Sequence, residues 1–323
     1  MKRLLILLVP VLLLACLPGC NTTEELNPNA PKSRIALIAK NDASYFWQVV
    51  FAGARSAAVE YGIEVDVYAP ETEDDYQTQI EMIGAAVENN YDAIVFSACD
   101  FDKVVPAIEA AMDAGVQVVT IDSGIGTGRN VVFIGTDSTG AGYLAGQALA
   151  QFAGTDANVG IISFEEFSKN GMERNEGFLA FLAENPDMEL VDLRFCESNR
   201  EDPYNQTLEM LREHPEINAI ATFNEWTTLG VGDAIDAAGL KDEVVVVAFD
   251  NNEDSVALLE KGVINALVVQ NPFAMGYLGV EHALSQIAGN KPEETTIYTD
   301  SVVITQENMF TPQNQKLLFP FAQ

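Results

Sequence analysis

From Arg34 onward the chain alternates two kinds of segment: apolar runs of five to seven residues rich in Val and Ile, and amphipathic stretches of ten or more. A run such as Ala93-Ile-Val-Phe-Ser97 offers no solvent-facing position until its end, so a strand built from it is buried on both faces. The stretches between, such as 46–61, repeat their apolar residues at helical spacing. A doubly buried strand followed by a helix is the unit of a parallel sheet, because parallel neighbours need a crossover of about a dozen residues. The fold class is therefore α/β.

Counting the runs divides the chain. Strands are predicted at 35–39, 64–68, 93–97, 117–121 and 131–134, and again at 159–163, 189–195, 219–222, 244–248 and 266–269, with helices between them. A last helix at 275–287 and a strand at 301–305 complete the pattern. Two sets of about five units predict two doubly wound lobes. The 323-residue length agrees, since single cores stop growing at about 250–300 residues. In open α/β sheets ligands bind outside the carboxyl ends of the strands. Polar or aromatic residues follow strand after strand: Lys40, Asn41, Phe46 and Trp47; Cys99 and Asp100; Asp122 and Ser123; Asn224 and Glu225; Asp250 and Asn251; Gln270 and Asn271.

Taken one at a time, such residues are explained by helix capping and turn geometry. As a set they combine planar two-pronged groups (Asp122, Arg174, Asn224, Asp250, Gln270) with the aromatic pair Phe46 and Trp47. That mixture suits a sugar. Vicinal hydroxyls donate and accept toward carboxylates, amides and a guanidinium, while the C–H face of the ring packs on aromatic side chains. Adjacent rings cannot share a helix face, so one of Phe46 and Trp47 is expected in the core and the other toward the ligand.

The amino terminus reads differently. Lys2 and Arg3 precede an apolar run from Leu4 to Leu14, which has the form of a signal peptide and is shorter than the ~20 residues of a membrane-spanning helix. It ends in Leu17-Pro-Gly-Cys20, which resembles a lipobox; Leu13-Leu-Ala-Cys16 is a second such site, and Cys20 is preferred as the lipidated residue. Residues 1–19 are then the signal and 20–33 a lipidated tether, poor in apolar residues. The protein is expected outside the cytoplasm, on the outer face of the membrane. Cys99 and Cys196 are expected to be free, because a bond between them would staple the lobes together.

With 48 acidic against 17 basic residues, the net charge is −31. Nucleic acid is excluded as a partner, since phosphate-backbone binding requires a basic surface, and the same charge leaves membrane attachment to a lipid anchor alone. Catalytic machinery is hard to find. His214 sits at a helix end and His282 on an amphipathic helix, neither with metal-ligand spacing to a partner. Gly124-Ile-Gly126-Thr-Gly128 follows a strand, but its glycine spacing and the strand that follows make it a turn. The acid run Glu71 to Asp75 lacks the pattern of a calcium loop and precedes a helix, where carboxylates complement the dipole. No catalytic residue, metal or cofactor is predicted, and the chain is not expected to be an enzyme.

Several stretches fall in a recognisable order: Ile35-Ala-Leu-Ile-Ala-Lys40 with Phe46-Trp47, Val119-Thr-Ile-Asp122, Gly135-Thr-Asp137-Ser138, Glu173-Arg174-Asn-Glu-Gly177-Phe178, Phe223-Asn224-Glu225, Ala248-Phe249-Asp250 and Val269-Gln270-Asn271. In that order they resemble the type I periplasmic binding proteins for ribose, arabinose and galactose, over roughly residues 34–308. The resemblance implies two lobes, 34–136 plus 271–300 and 137–270 plus 301–323, joined by three crossings that act as a hinge. It implies a cleft lined by Phe46, Asp122, Arg174, Asn224, Asp250 and Gln270, with Lys40 in the position of a sugar-binding lysine. Against the ribose-binding pattern, Ser44 replaces an amide, Ser123 an arginine and Ser198 an aromatic residue, so these positions leave room for a larger or differently substituted ligand. The implied function is capture of a small polar solute, a monosaccharide first and a non-sugar such as a nucleoside second, by a monomer that delivers it to an ABC permease. Presentation of the ligand to a sensor kinase ectodomain is the alternative.

Overall fold

A computed structural model describes residues 32–321. The signal, the lipobox cysteines and nearly all of the tether lie outside the described residues. Among the described residues no helix is long and apolar enough to cross a membrane.

The first half runs β1 (Arg34–Ile38), α1 (Tyr45–Tyr61), β2 (Glu64–Tyr68), α2 (Tyr76–Glu88), β3 (Ala93–Phe96), α3 (Val105–Asp113), β4 (Gln117–Ile121) and β5 (Val132–Thr136). The second runs α4 (Ser138–Ala153), β6 (Asn158–Phe164), α5 (Lys169–Glu184), β7 (Glu189–Cys196), α6 (Glu201–Glu213), β8 (Ala219–Thr222), α7 (Glu225–Ala238), β9 (Val245–Phe249), α8 (Glu253–Glu260) and β10 (Ala266–Val269). The chain then returns through α9 (Pro272–Ile287) and β11 (Thr296–Thr299), and ends with β12 (Val302–Ile304) and α10 (Pro312–Leu318).

Two six-stranded sheets result, in the orders β11-β5-β4-β3-β1-β2 and β12-β10-β9-β8-β6-β7. The polypeptide passes between them three times: after β5, after β10, and between β11 and β12. The first sheet is parallel throughout. In the second, β12 runs antiparallel to β10, against the all-parallel expectation. Direction of entry explains this: the other strands of the second sheet reach the cleft at their carboxyl ends, whereas β12 enters from the cleft two residues after β11 and must run away from it.

Each sheet is covered on both faces, and the alternation is visible along single strands. Ile35 and Leu37 pack under α1 and α9 with Trp47, Phe51 and Met275, while Ala36 and Ile38 face Ile83 of α2 and Ile108 of α3. On β9, Val247 and Phe249 join Phe178 and Leu149, and Val246 and Ala248 join Val231 and Leu258. Full burial of such a side chain contributes about 1.5–3 kcal/mol, so the central strands are where stability is concentrated. The edge strand β11, Thr-Ile-Tyr-Thr, alternates exposed and half-buried residues, and this polar run was not predicted as a strand.

Helix pairs are set by glycines at close approach. A Cβ on Gly142 of α4 would lie 2.0 Å from the carbonyl oxygen of Arg174, and one on Gly177 of α5 would lie 1.9 Å from that of Thr139. The backbones of α4 and α5 therefore touch, and that contact fixes the height at which Arg174 leaves its helix.

Candidate ligand-binding site

The carboxyl ends of the two sheets face each other, and one cavity between them is lined from both sides. Lys40, Ser44, Phe46, Trp47, Glu73 and Asp122 come from the first lobe; Phe164, Asn170, Arg174, Asn224, Glu225, Trp226 and Asp250 come from the second, with Gln270 at a crossing. The lobes are closed on one another. About 20 Å³ of space is left among these side chains, on the scale of one water molecule.

Asp122 and Asp250 stand one residue past β4 and β9 at matching points of the two sheets. Both backbones are left-handed, with φ of 56° and 65°. Each amide still donates to the neighbouring strand, Asp122 to the Ile134 carbonyl and Asp250 to the Val268 carbonyl, at 3.0 Å in both cases. A left-handed turn costs a non-glycine residue about 1–2 kcal/mol, and Asp is among the residues that bear it best. Here it ends the strand and delivers a carboxylate to the cleft. Asp122 accepts from Ser97 Oγ at 3.1 Å and, across the cleft, from Asn170 Nδ2 at 3.0 Å. Asp250 accepts from Gln270 Nε2 at 2.5 Å. Burial pushes its pKa from 3.8 up to about 7, against the opposing pull of Arg174 and Gln270.

Arg174 is 1% exposed. Its guanidinium lies over the Phe249 ring, donates to the Phe223 carbonyl at 2.7 Å and to Gln270 Oε1 at 2.8 Å, and Nε has no partner among the described residues. Gln270 Oε1 also accepts from Thr136 Oγ1 at 2.8 Å, so this amide ties the end of β5 to the end of β10. Trp226 Nε1 is a second buried donor without a partner among the described residues. Asn224 caps α7 through Oδ1 and donates from Nδ2 to Ser198 Oγ at 3.1 Å.

On the facing wall Lys40, also 1% exposed, places Nζ 3.3 Å from Glu73 Oε2 and over the ring of Phe164. Burial pulls its pKa down, but Glu73, Glu165 and Asp122 outweigh burial and hold the ammonium charged above the usual lysine range. Glu73 Oε1 accepts from Asn41 Nδ2 at 3.1 Å and Trp47 Nε1 at 3.2 Å. The first turn of α1, a row of orphan amide donors, is served from both lobes. Ser44 caps Trp47 N, while Glu225 of the opposite lobe accepts from Tyr45 N at 3.1 Å and Phe46 N at 2.9 Å. Burial raises the pKa of Glu225, partly offset by the Phe46 amide, Asn252 and the Tyr45 amide.

Of the eleven residues expected at the site, nine line this cavity, and Ser123 and Ser198 do not. Ser123 is fully buried, and its Oγ has no partner among the described residues. Ser198 stands behind Asn224 and donates its amide to Glu165 Oε1 at 3.1 Å. Where the resemblance has an arginine and an aromatic ring, a short hydroxyl side chain stops short of the wall. Phe46 and Trp47 both line the cavity, contrary to the division into one core and one ligand ring. They occupy the first turn of α1, which points end-on at the cleft, so the face of the helix does not decide which ring reaches it.

Five lining residues were not among the eleven: Glu73, Phe164, Asn170, Trp226, and Glu225, which the sequence marks only as a residue following its strand. Asp75 does cap α2, accepting from Thr78 N at 2.9 Å, but Glu73 of the same acid run turns inward to Lys40. Glu225 and Trp226 follow the strand-end residue Asn224, and Phe164 closes β6, so strand-end position was the available signal. Cys99 and Cys196 are free and buried. Among the described residues no group of His, Cys, Asp or Glu is placed to hold a metal ion.

Two α/β lobes linked by three crossings, with carboxylates, amides, a guanidinium and aromatic rings converging on the cleft, define a solute-binding protein. Residues 35–291 match the family described as periplasmic binding protein domain, and the chain belongs to it. It is 28% identical to the D-ribose/D-allose-binding protein of Pseudomonas aeruginosa, over 94% of this chain and 97% of that one. It is 25% identical to the D-allose-binding periplasmic protein of Escherichia coli, over 84% and 91%. A carbohydrate transporter solute-binding protein of Agrobacterium radiobacter, solved with D-arabinose, superposes with a TM-score of 0.86 at 29% identity, covering 89% of this chain and 99% of that one. An ABC transporter solute-binding protein of Agrobacterium vitis with bound D-fucose gives 0.85 at 31% identity, covering 88% and 100%.

Proposed function

We propose that the protein captures a monosaccharide in this cleft and hands it to an ABC import permease. The observation that carries the reading is what the closed cleft leaves unpaired. Among the described residues Arg174 Nε and Trp226 Nε1 are donors without partners, and Asp250 is a carboxylate with a single amide donor, all in one aromatic-walled space. A hydroxyl both donates and accepts, so a polyol can serve both kinds of group where an anion or a cation serves one. The ligands named for the related proteins, D-ribose, D-allose, D-arabinose and D-fucose, have this chemistry.

The cavity is too small for a sugar as it stands, so the lobes must part to admit one. Lobes 34–136 plus 271–300 and 137–270 plus 301–323 would turn about the three crossings, and the sugar would take over contacts now made between protein groups, such as Asn170 to Asp122. Closure is then a population shift driven by contacts that only the closed form offers. No bond is made or broken. Nine of the eleven expected residues, Lys40, Ser44, Phe46, Trp47, Asp122, Arg174, Asn224, Asp250 and Gln270, are taken as ligand contacts, together with Glu73, Phe164 and Trp226. The protein would act as a monomer held at the outer membrane face by a lipid on Cys20; Cys20→Ala should release it from the membrane fraction.

Thermal unfolding against a panel of pentoses, hexoses, polyols and nucleosides tests the reading. A ligand at 100 times its dissociation constant adds about 2.7 kcal/mol of stability. A rise confined to one or a few sugars supports the assignment, and stabilisation by a nucleoside alone, or by nothing in the panel, contradicts it.

A further inference from the structure

A second cavity, of about 330 Å³, adjoins the first. The two share Phe46, Asp250 and Gln270 as wall residues, so any ligand group at Asp250 or Gln270 sits at their junction. Beyond the junction rings and aliphatic carbons make up much of the wall, Tyr45 and Val49 of α1, Phe273 of α9, and Leu317 and Pro320 of the carboxyl-terminal segment, with Asn251, Asn271 and Lys316 beside them. Phe273 is 37% exposed and Lys316 is exposed, which marks the side where the chamber meets solvent.

The carboxyl-terminal wall is built in. Asn251, next to Asp250, donates from Nδ2 to the Leu318 carbonyl at 2.9 Å, Leu318 is buried, and Phe321 meets the Tyr45 ring edge-on at 5.6 Å. This wall also lies outside residues 35–291, where the family match ends. A volume of this size is that of a small-molecule site, and the sugar hydroxyls bound at Asp250 and Gln270 are the ones whose substituents would enter it.

We infer that the ligand is a glycoside: the sugar ring occupies the cleft, and an apolar aglycone, alkyl or aryl, occupies the chamber between Tyr45, Phe273 and Leu317. The inference rests on the sugar reading above and adds the class of substituent. An apolar group fits because the wall offers rings and aliphatic carbons, while Asn251 Nδ2 is engaged by the Leu318 carbonyl and Asn271 Oδ1 by the Ala274 amide.

Calorimetric titration tests it in two stages. The free monosaccharide that most stabilises the protein is titrated first, then its methyl and phenyl glycosides in both anomeric forms. One phenyl glycoside should bind about tenfold more tightly than the free sugar, the gain expected from burying part of a ring. Leu317→Trp, which fills the chamber, and Phe273→Ala, which removes a ring from its rim, should each erase that gain and leave free-sugar affinity unchanged. Tight binding of the free sugar with rejection of every glycoside overturns the inference and leaves the sugar reading intact. So does an equal loss for both ligands in the two variants. Failure of every sugar and glycoside overturns the sugar reading and the inference with it.

Discussion

The two faces of the cleft handle charge in different ways. On the first lobe, cation and carboxylate meet directly, Lys40 to Glu73 at 3.3 Å, and the second oxygen of Glu73 is taken by Asn41 and Trp47. On the second lobe, Arg174 gives its terminal nitrogens to neutral oxygens, those of Phe223 and Gln270, and Asp250 receives only an amide. The Lys40–Glu73 pair is settled among first-lobe residues. The second face keeps an acid whose pKa has been driven to about 7 and donors without a partner among the described residues. The first lobe thus presents Lys40 and Glu73 already paired, and the second holds the groups with most to gain from a ligand.

The largest expected effect breaks the settled pair. Glu73→Ala takes away the direct partner of the buried Lys40 and leaves it only the more distant charges of Glu165 and Asp122, and removal of one partner from a buried pair costs about 3–5 kcal/mol. Urea denaturation should show that loss, and a Glu73→Ala variant as stable as the parent would contradict the account of the first lobe. Asp250→Asn should act in the opposite sense on the two observables. Sugar affinity falls by about 1.5–3 kcal/mol, the range for a hydrogen bond to a charged group, while ligand-free stability at pH 8 holds or rises. Calorimetry and denaturation on the same variant separate the two.

The pH dependence sharpens the comparison further. The carboxyl of Asp250 has an ordinary pKa of 3.8 and a folded value of about 7, so between those values the folded protein holds a proton that the unfolded chain has lost. Its contribution to stability is complete below the lower value and is lost as pH rises through 7. Relative to Asp250→Asn, the ligand-free protein should therefore lose stability from pH 5 to pH 8. Sugar affinity should rise over the same range, because hydroxyl donors favour the carboxylate, and proton release should appear as buffer-dependent binding enthalpy. A stability difference that runs the other way removes Asp250 as the poised group. The smallest effect belongs to Glu225, whose charge sits at the first turn of α1 from the opposite lobe. Glu225→Gln keeps one acceptor and loses the charge–dipole attraction, about 0.3–1 kcal/mol, and should shift the ligand-free protein toward the open form in X-ray scattering.

The comparison also explains what could be read from sequence. Runs such as Ala93 to Phe96 and Ala219 to Thr222 are doubly buried and unambiguous, whereas β11 sits at a sheet edge where Thr and Tyr satisfy the strand and give no apolar signal. In the site, residues directly after strands were visible because an α/β sheet aims them at the cleft. Glu73 was hidden, because helix capping already accounts for an acid in that run, and Asp75 is the residue that caps. Trp226, inside the first turn of α7, reads as an ordinary helix residue until the end-on approach of that helix is known. Ser123 and Ser198 show the converse: a resemblance transfers a backbone position, but a serine there has too little reach to line the wall.

If a sugar closes the two lobes by bridging them, the distance between labels on opposite lobes shortens on binding. Val59 on α1, 84% exposed, and Phe152 on α4, 40% exposed, provide attachment points away from the cleft. Single-molecule energy transfer without ligand should show an open population, and the stabilising sugar should collapse it into one short distance, an effect abolished by Asp250→Ala. Calorimetric binding of the sugar with an unchanged distance distribution would contradict the account.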